Sequence, residues 1–278
     1  MRKSGMYSAR RFRKTMALGA AIFLLSAESP VFAEGLVAHH ATYILSLAPD
    51  NKNSQITGAE GVMVYDLKNA CDGWATDLKL KFVMSLDNGE NRDFETSQVT
   101  WESKDGSAYR YTIKNGYGGQ TDQLRGEARI DAAAGGKGTA TADLPTRSEA
   151  KLPDDTLFPI THTRLLLQKA AEGESSVTAE YFDGTASTEA MQASALIGAG
   201  EKGWGGDFSK KFPDLADKTS YPIGLAFYLG DKSDAVPDSE QFLRLYEDGV
   251  MGAISFSLGS IKIRAVLDTL ELKPDGGC

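Results

Sequence analysis

Three histidines are the residues of this chain that could most directly support acid–base catalysis or metal binding. His39 and His40 are adjacent, so on a β-strand their side chains would point to opposite faces and could not chelate one ion. His162 lies four residues from Phe158 and four from Leu166. This spacing favours packing on the apolar side of a helix, with one ring nitrogen hydrogen-bonded, over a catalytic role.

Two cysteines, Cys71 and Cys278, complete the set of reactive side chains. In an oxidising compartment an even pair of cysteines indicates a disulfide bond. Metal binding is the alternative, but neither cysteine has another cysteine or a histidine at ligand spacing. A bond between them would tie the last residue back to Cys71, and closing so long a loop stabilises a fold by at most about 5 kcal/mol.

Catalytic motifs give no positive support for an enzyme. The G-x-S-x-G elbow of serine hydrolases and the zinc motifs H-E-x-x-H and paired C-x-x-C are absent from the sequence. The segment 198–203 matches G-x-G-x-x-G, but no helix start follows it. Because that fingerprint has meaning only between a strand and a helix, a flexible loop is the preferred interpretation. We therefore predict a protein that is not an enzyme, with no catalytic residue, cofactor or metal ligand.

The first 33 residues have the layout of a secretory signal peptide. Basic residues at positions 10–14 precede an apolar run from Met16 to Ala27. Small or apolar residues at 31–33 then fit cleavage after Ala33. The run is shorter than the roughly 20 residues that a membrane-spanning helix needs. We expect an exported protein in which residues 34–278 form a single domain.

The net charge argues against two classes of partner. The whole chain carries −8 at pH 7, and its first 33 residues hold six Lys and Arg against one Glu, so the remainder carries −13. Nucleic-acid binding through the phosphates requires clustered positive charge, so no nucleic-acid partner is expected. The same charge argues against a polybasic membrane-surface protein, and no later stretch is apolar enough to span a bilayer. A soluble protein is expected.

Alternation of apolar and polar residues with a period of two dominates the chain and predicts β-strands. The clearest case runs from Trp74 to Leu86, and the Asn-Gly turn after it favours a hairpin with a strand over 94–101. Further turns are predicted at Asp105-Gly106, Asn115-Gly116 and Asp248-Gly249. Further strands are predicted around Tyr109–Ile113 and over 124–130, 138–142, 176–182, 189–197, 221–229, 241–246, 250–258 and 261–272.

One amphipathic helix interrupts the strands. Asp154, Asp155 and Thr156 can cap its start, Pro159 fits its first turn and Gly173 follows its end. The later segment 198–217 is rich in Gly, Lys and Asp and is predicted to be a mobile loop.

These elements predict a mostly β protein, a many-stranded antiparallel β-spiral or open barrel with one amphipathic helix packed in or on it. Closure of the sheet would remove vulnerable strand edges. Trp74, Phe82, Tyr109 and Tyr111 on the strands, with His162 on the helix, are candidates to line an internal cavity. Simple core packing explains the same residues equally well, and the sequence does not separate the two.

Several short segments resemble the cell-envelope integrity protein EipB family of alphaproteobacteria. Together they follow the family's order over nearly all of the chain after residue 33, and Cys278 belongs to the pattern. The segments are Gly61–Tyr65, Cys71–Trp74, Trp101–Gly106, Leu157–Thr163 and Phe182–Gly184.

This resemblance implies a periplasmic protein with a spiral-like antiparallel β fold, an internal helix and a disulfide bond between Cys71 and Cys278. It also implies a role in envelope integrity without catalysis, on a fold similar to that of periplasmic carriers of lipoproteins and lipids. The adjacent pair His39-His40 departs from the pattern, and no role is inferred for it.

Our leading hypothesis is a non-catalytic periplasmic binding or scaffold protein that maintains the envelope and supports resistance to stress. Its partner would be another periplasmic envelope protein, such as a helical-repeat protein, or a lipid-like ligand. The alternative is a carrier that shelters a lipid or a lipoprotein acyl chain in a cavity of the spiral. A hydrolase has the weakest support.

Overall fold

The alternation of apolar and polar residues produces strands along most of the chain. The computed structural model describes residues 35–274 except 54, 132, 134, 231–235 and 259–260. The predicted signal peptide and Cys278 lie outside these described residues. All described residues belong to one unit, Phe32–Cys278.

The described residues form fifteen strands and three helices. The strands are β1 (His39–Leu47), β2 (Ile56–Asn69), β3 (Gly73–Leu86), β4 (Asn91–Ser103), β5 (Ala108–Tyr117), β6 (Gln120–Asp131), β7 (Lys137–Leu144), β8 (Ser148–Leu152), β9 (Ser176–Tyr181), β10 (Met191–Ile197), β11 (Glu201–Lys202), β12 (Thr219–Leu229), β13 (Ser239–Tyr246), β14 (Met251–Leu258) and β15 (Ile261–Leu272). The helices are α1 (Pro159–Ala171), α2 (Gly206–Lys211) and α3 (Pro213–Ala216).

All fifteen strands belong to one antiparallel sheet. Its order is β8-β7-β6-β5-β4-β3-β2-β1-β15-β14-β13-β12-β10-β9, with β11 paired to β12 beside this path. Consecutive strands are therefore neighbours almost everywhere, and the first strand pairs with the last in the middle of the sheet. The sheet is not closed by a strand ladder, because β8 and β9 stand at its two ends. The predicted mostly β, antiparallel and open architecture is confirmed.

A short contact joins the two ends of the sheet. Leu157, which follows β8, forms an isolated parallel bridge with Tyr181 at the end of β9. Its N–H donates to the carbonyl of Glu180 at 2.8 Å, and its carbonyl accepts from the N–H of Phe182 at 3.0 Å. Because strands at opposite ends of the path meet here, the sheet must curl round on itself.

The predicted helix is confirmed as α1, but its predicted caps are wrong. The residue before its first turn is Phe158, which has no side-chain cap hydrogen bond. Thr156 donates its hydroxyl to the carbonyl of Pro153 at 2.7 Å instead. The first N–H groups of the helix find their acceptor on a distant strand, as described below.

The predicted mobile loop at 198–217 is also wrong, because this segment contains β11, α2 and α3. Phe212 is 6% exposed and Leu215 is 0% exposed, so the segment contributes to the core. The rings of Phe208 and Phe212 lie 4.7 Å apart, and that of Trp204 lies 4.8 Å from Phe208. Four apolar side chains spaced along the segment fix it against the sheet. Only one helix was predicted, because α2 and α3 both lie in this segment.

One predicted turn is displaced. Asn115 and Gly116 are inside β5 and pair with Asp122 and Thr121 of β6. The ladder continues to the pair Tyr117 and Gln120, so the turn lies three residues further on, at Gly118 and Gly119, whose φ angles are 56° and 85°. Two glycines that accept the left-handed region outweigh the Asn-Gly pair. The predicted turns at Gly89 and Gly249 are confirmed, with φ angles of 82° and 86°.

Three groups of buried apolar side chains form the core. The first packs α1 against β9, β10 and β12 and includes Trp74, Ile160, Leu166, Ala193 and Phe227. The second lies between the middle of the sheet and α2–α3 and includes Tyr43, Phe82, Leu215, Tyr246 and Ile263. The third lies under β5–β8 and includes Tyr109, Tyr111, Ile113, Phe158 and Phe182.

Candidate functional site

The inner face of the sheet, which we define as the face that packs against α1, is incompletely covered. Ala41, Tyr65, Leu78 and Gln98 form one cross-strand row on this face, from β1 to β4. Ala41 is 0% exposed, but the other three side chains are only half-buried although they lie in the middle of long strands. These positions on the inner face are therefore not covered by close packing.

A buried carboxylate on the inner face holds the start of α1. Glu102 on β4 is 1% exposed. Its Oε2 accepts the N–H of Ile160 at 2.7 Å, and its Oε1 accepts both the N–H and the hydroxyl of Thr161, at 2.7 and 2.6 Å. The first turn of a helix has free N–H groups and a positive dipole end, and both favour a carboxylate. Glu102 thus acts as the missing cap and fixes α1 to the sheet.

Opposing effects act on the ionisation of Glu102. Burial raises the pKa of its carboxyl, and the hydrogen bonds from Thr161 and Ile160 lower it, as does the charge of Arg164. Burial is the largest of these effects, so the net direction is upward. With three donors already bound, this carboxylate has little capacity left for a substrate or a metal ion.

The residues predicted to line one cavity are buried in three different groups. Trp74 belongs to the first, where the Lys104 ammonium lies 3.8 Å from its ring centroid. Phe82 belongs to the second and packs against Phe94 with ring centroids 5.0 Å apart. The structure does not bring these two side chains together.

Tyr109 and Tyr111 are in the third group. The ring of Tyr109 stacks on that of Phe158 at 5.3 Å and its hydroxyl donates to the carbonyl of Asp183 at 3.1 Å. The hydroxyl of Tyr111 donates to the carbonyl of Ser187 at 2.8 Å. Both rings therefore fasten the segment after β9 to the sheet.

His162 of α1 faces the interior. It is 4% exposed, and its ring lies 5.1 Å from that of Tyr181. The predicted packing is confirmed, but the Nε2 atom is buried without a hydrogen-bond partner. Burial lowers the pKa of this imidazole to about 4, so the ring is neutral at neutral pH.

His39 is a second interior imidazole, for which no role was predicted. It is 1% exposed, whereas His40 points to the other face and contacts the carboxylate of Asp66 at 2.9 Å. The Nδ1 atom of His39 lies 2.8 Å from the carbonyl of Val37, and its Nε2 atom has no partner. Its ring lies 5.7 Å from that of Tyr65. The predicted opposite orientation of the two histidines is confirmed.

These rings belong to what we call the inner aromatic cluster, which comprises His39, Tyr43, Tyr65, His162 and Tyr181. Tyr43 is 0% exposed and its hydroxyl also lacks a partner. Burial raises the pKa of each of the three tyrosines, and the pKa of Tyr65 is raised further by Glu102. The alternation His39, Ala41, Tyr43, Leu45 on β1 was a sequence signal that could have located two of the five members of this cluster.

The cluster offers hydrogen bonds and no evident catalytic machinery. Its imidazoles are kept neutral by burial, since the pKa of His39 is also lowered. Within the described ranges, no group of three or more His, Cys, Asp and Glu side chains is placed to hold a metal ion. No helix among the described residues is long and apolar enough to cross a membrane.

Cys71 lies in the turn between β2 and β3 with a φ angle of 55°. Its predicted partner, Cys278, lies outside the described residues, so the pairing of these two cysteines stays a prediction.

A curled, open antiparallel sheet with a helix against its inner face defines a β-barrel-like protein. Residues 31–274 match the model of the EipB-like family, and the chain belongs to that family. It is 25% identical over 268 residues to the cell envelope integrity protein EipB of Brucella abortus (strain 2308), with 94% of each chain covered. The resemblance found in the sequence is confirmed.

A solved structure supports the fold. The crystal structure of a β-barrel-like protein of the domain of unknown function DUF1849, from Brucella abortus, matches with a TM-score of 0.78. The match covers 86% of this chain and 99% of that chain at 24% identity. At this identity the likeness concerns the fold alone.

Proposed function

We propose that this protein is a non-catalytic binding or scaffold protein of the periplasm that maintains the integrity of the cell envelope. The envelope role is supported by the relative in Brucella abortus, which matches nearly the whole chain. Export is supported by the signal-peptide pattern of residues 1–33. Catalysis is not part of the proposal, because the buried carboxylate is held by hydrogen bonds from α1 and burial keeps the two imidazoles neutral.

The observation that carries the binding role is the half-buried row on the inner face. Tyr65, Leu78 and Gln98 lie opposite one another in the centre of the sheet, where a filled core would bury them completely. Concave, mostly apolar space with a few polar groups is the usual form of a ligand site. A second protein or a small molecule could occupy it.

A carrier of a lipid or an acyl chain is the second candidate. It is favoured by the apolar part of the same face, where Leu78 and Phe94 are half-buried and Tyr117 is 49% exposed. Tyr117 pairs with Phe94, which pairs with Phe82, so these rings extend the inner face toward the β3–β4 hairpin. Native mass spectrometry of protein released gently from the periplasm distinguishes the candidates, because a carrier retains a lipid mass and a protein-binding scaffold does not.

Deletion of the gene tests the envelope role. Cells that lack the protein should become more sensitive to detergent and to cell-wall antibiotics, and expression of the intact gene from a plasmid should restore resistance. Unchanged sensitivity of the deletion strain to both treatments would contradict the proposal. Cell fractionation with a cytoplasmic and a periplasmic marker tests the location separately.

A further inference from the structure

We propose that the inner aromatic cluster binds an uncharged hydrogen-bonding group, a hydroxyl or an amide, carried on an apolar body. The inference rests on the binding role proposed above and names the chemistry of what is bound. It is carried by the polar atoms that the fold buries without partners.

Three such atoms belong to the cluster. They are Nε2 of His39, the hydroxyl oxygen of Tyr43 and Nε2 of His162, on side chains that are 1%, 0% and 4% exposed. Buried polar groups in proteins are nearly always hydrogen-bonded, and each exception requires an explanation. Three exceptions among neighbouring rings on one face of the sheet indicate that something else supplies the partners.

Contacts between the rings place these atoms around Tyr65 and Tyr181. His39 touches Tyr65, and His162 touches Tyr181, with ring centroids 5.7 and 5.1 Å apart. Tyr65 acts electrostatically on both Tyr181 and Tyr43, so these rings are neighbours. Tyr65 and Tyr181 are half-buried, so part of each side chain is accessible from outside the cluster.

The tautomer of His39 determines which kind of group its Nε2 atom can bind. The Nδ1 atom faces a carbonyl oxygen, which can only accept, so Nδ1 carries the proton of the neutral ring. The Nε2 atom is then an acceptor and needs a donor. The hydroxyl of Tyr43 can donate or accept, so a group that both donates and accepts suits the pair. Hydroxyls and amides have this property.

The surrounding charges disfavour an acid. The charged groups that act on the five rings are the carboxylates Glu102, Asp183, Asp66 and Asp248. In the described part of the chain, no Lys or Arg is among them. A carboxylate or phosphate bound here would lose its hydration without gaining a counter-charge.

An amine is disfavoured for a different reason. The oxygens of Glu102 already accept three hydrogen bonds from α1, and Asp183 accepts two from Thr185. The neutral imidazoles could accept from an ammonium ion but could not neutralise it. Apolar neighbours, including Leu67, Met63 and Phe227, form the walls and suit an apolar body.

Four probes of one chain length separate these chemistries in the intact mature protein. They are 1-hexanol, hexanamide, hexanoate and hexylamine, and the readout is the nitrogen chemical shift of the histidine rings in NMR spectra. We expect the alcohol and the amide to shift Nε2 of His39 and His162 in a saturable way. Hexanoate and hexylamine should bind at least about tenfold more weakly, because their charge is not compensated.

Tyr43→Phe removes only the hydroxyl and should weaken hexanamide binding several-fold while the protein stays folded. The matched control is Tyr246→Phe, which deletes a hydroxyl that is equally buried and also lacks a partner. Tyr246 shares the second core group with Tyr43, but its ring stacks on Phe208 with centroids 6.3 Å apart, and among the described residues no ring–ring contact joins it to the cluster. This variant should therefore bind hexanamide as the wild type does.

The proposal is overturned if hexanoate binds as tightly as hexanamide. It is overturned as well if no probe gives a saturable shift, because water alone would then be the partner of the three buried atoms. It is also overturned if the two Tyr→Phe variants behave alike. These outcomes are independent of the envelope role: if the deletion strain is sensitive and the probes do not bind to the protein, the envelope role stands and the proposed site is refuted.

Discussion

Glu102 is the residue on which the position of α1 depends. It lies far from the helix in sequence, yet its two carboxylate oxygens accept three hydrogen bonds from the first turn. A local residue in the cap would fix only the helix end, whereas a residue on β4 also fixes the helix to the inner face. Glu102 therefore acts together with the apolar side chains of the first core group in holding α1 on the inner face.

Substitution Glu102→Gln should lower the free energy of unfolding by about 2 kcal/mol. The amide keeps the shape, but its NH2 group would face an N–H donor of α1, and one buried donor would lose its acceptor. Urea denaturation measures the effect. Glu95→Gln on the same strand is the control, because Glu95 is exposed and its ion pair with Lys81 contributes less than about 1 kcal/mol. Equal losses in the two variants would contradict the role of Glu102.

His162 should make stability depend on pH in a defined window. Its pKa is about 4 in the folded protein and 6.5 in an unfolded chain, so between these values the unfolded state binds more protons. Stability should then fall as the pH falls from 6.5 toward 4, by up to about 1.4 kcal/mol per pH unit from this group. His162→Gln cannot take up the proton and should flatten the curve in that window. Parallel urea titrations of the two proteins at several pH values provide the measurement.

A pH curve of His162→Gln parallel to that of the wild type would show that the imidazole is not buried as described. The matched variant is His40→Gln, on the opposite face of the sheet and half-exposed. Substitution there leaves the buried imidazoles in place, so most of the decline toward pH 4 should remain.

At the scale of elements, strands were predictable and long-range contacts were not. The alternation from Trp74 to Leu86 depends only on neighbouring residues, and β3 and β15 have the predicted bounds within one residue. The segment 198–217 shows no period in its glycines and lysines, and its order comes from Phe212 and Leu215 meeting the sheet. The candidate site was only partly predictable for the same reason: His162 was identified from its helix, but its neighbours come from β1, β2 and β9.

Leu215→Ala should show that α2 and α3 belong to the core. Deletion of a fully buried leucine side chain leaves a cavity and typically costs about 2–5 kcal/mol. Leu196→Ala is the control, because Leu196 is 71% exposed and its loss should cost less than about 0.5 kcal/mol. Thermal and urea unfolding measure both. If the Leu215→Ala protein is as stable as the Leu196→Ala protein, α2 and α3 do not contribute to the core, and the segment 198–217 behaves as the predicted loop.

At the scale of the whole molecule, one sheet holds all fifteen described strands, and its two ends meet through the bridge between Leu157 and Tyr181. Interior space can exist in such a sheet because α1 covers only part of the inner face. The free edges of β8 and β9 are short, with five and six residues, which limits pairing with other chains.

The predicted bond between Cys71 and Cys278 should stabilise this sheet by about 2–4 kcal/mol, because it restricts the unfolded chain. Oxidised protein should melt at a higher temperature than reduced protein, and non-reducing peptide mapping should recover the two cysteines in one linked fragment. A double Cys→Ser variant provides the control, since its melting should not respond to reductant. Equal melting of the oxidised and reduced wild type would show that the bond does not contribute.

The pairing of β1 with β15 also has a consequence for how the chain is made. Ala38 and Lys273, at the two ends of the described chain, are joined by a backbone hydrogen bond of 2.8 Å. If the chain began at β9 and passed directly from β15 into β1, nearly every strand would pair with the next one in sequence, as in a β-meander. The strand order of this protein is therefore a circular permutation of such a meander. In biosynthesis the first strand must wait for the last, because the ladder between them needs residues 261–272. The middle of the sheet, rather than its edges, is therefore the last part that a growing chain can complete.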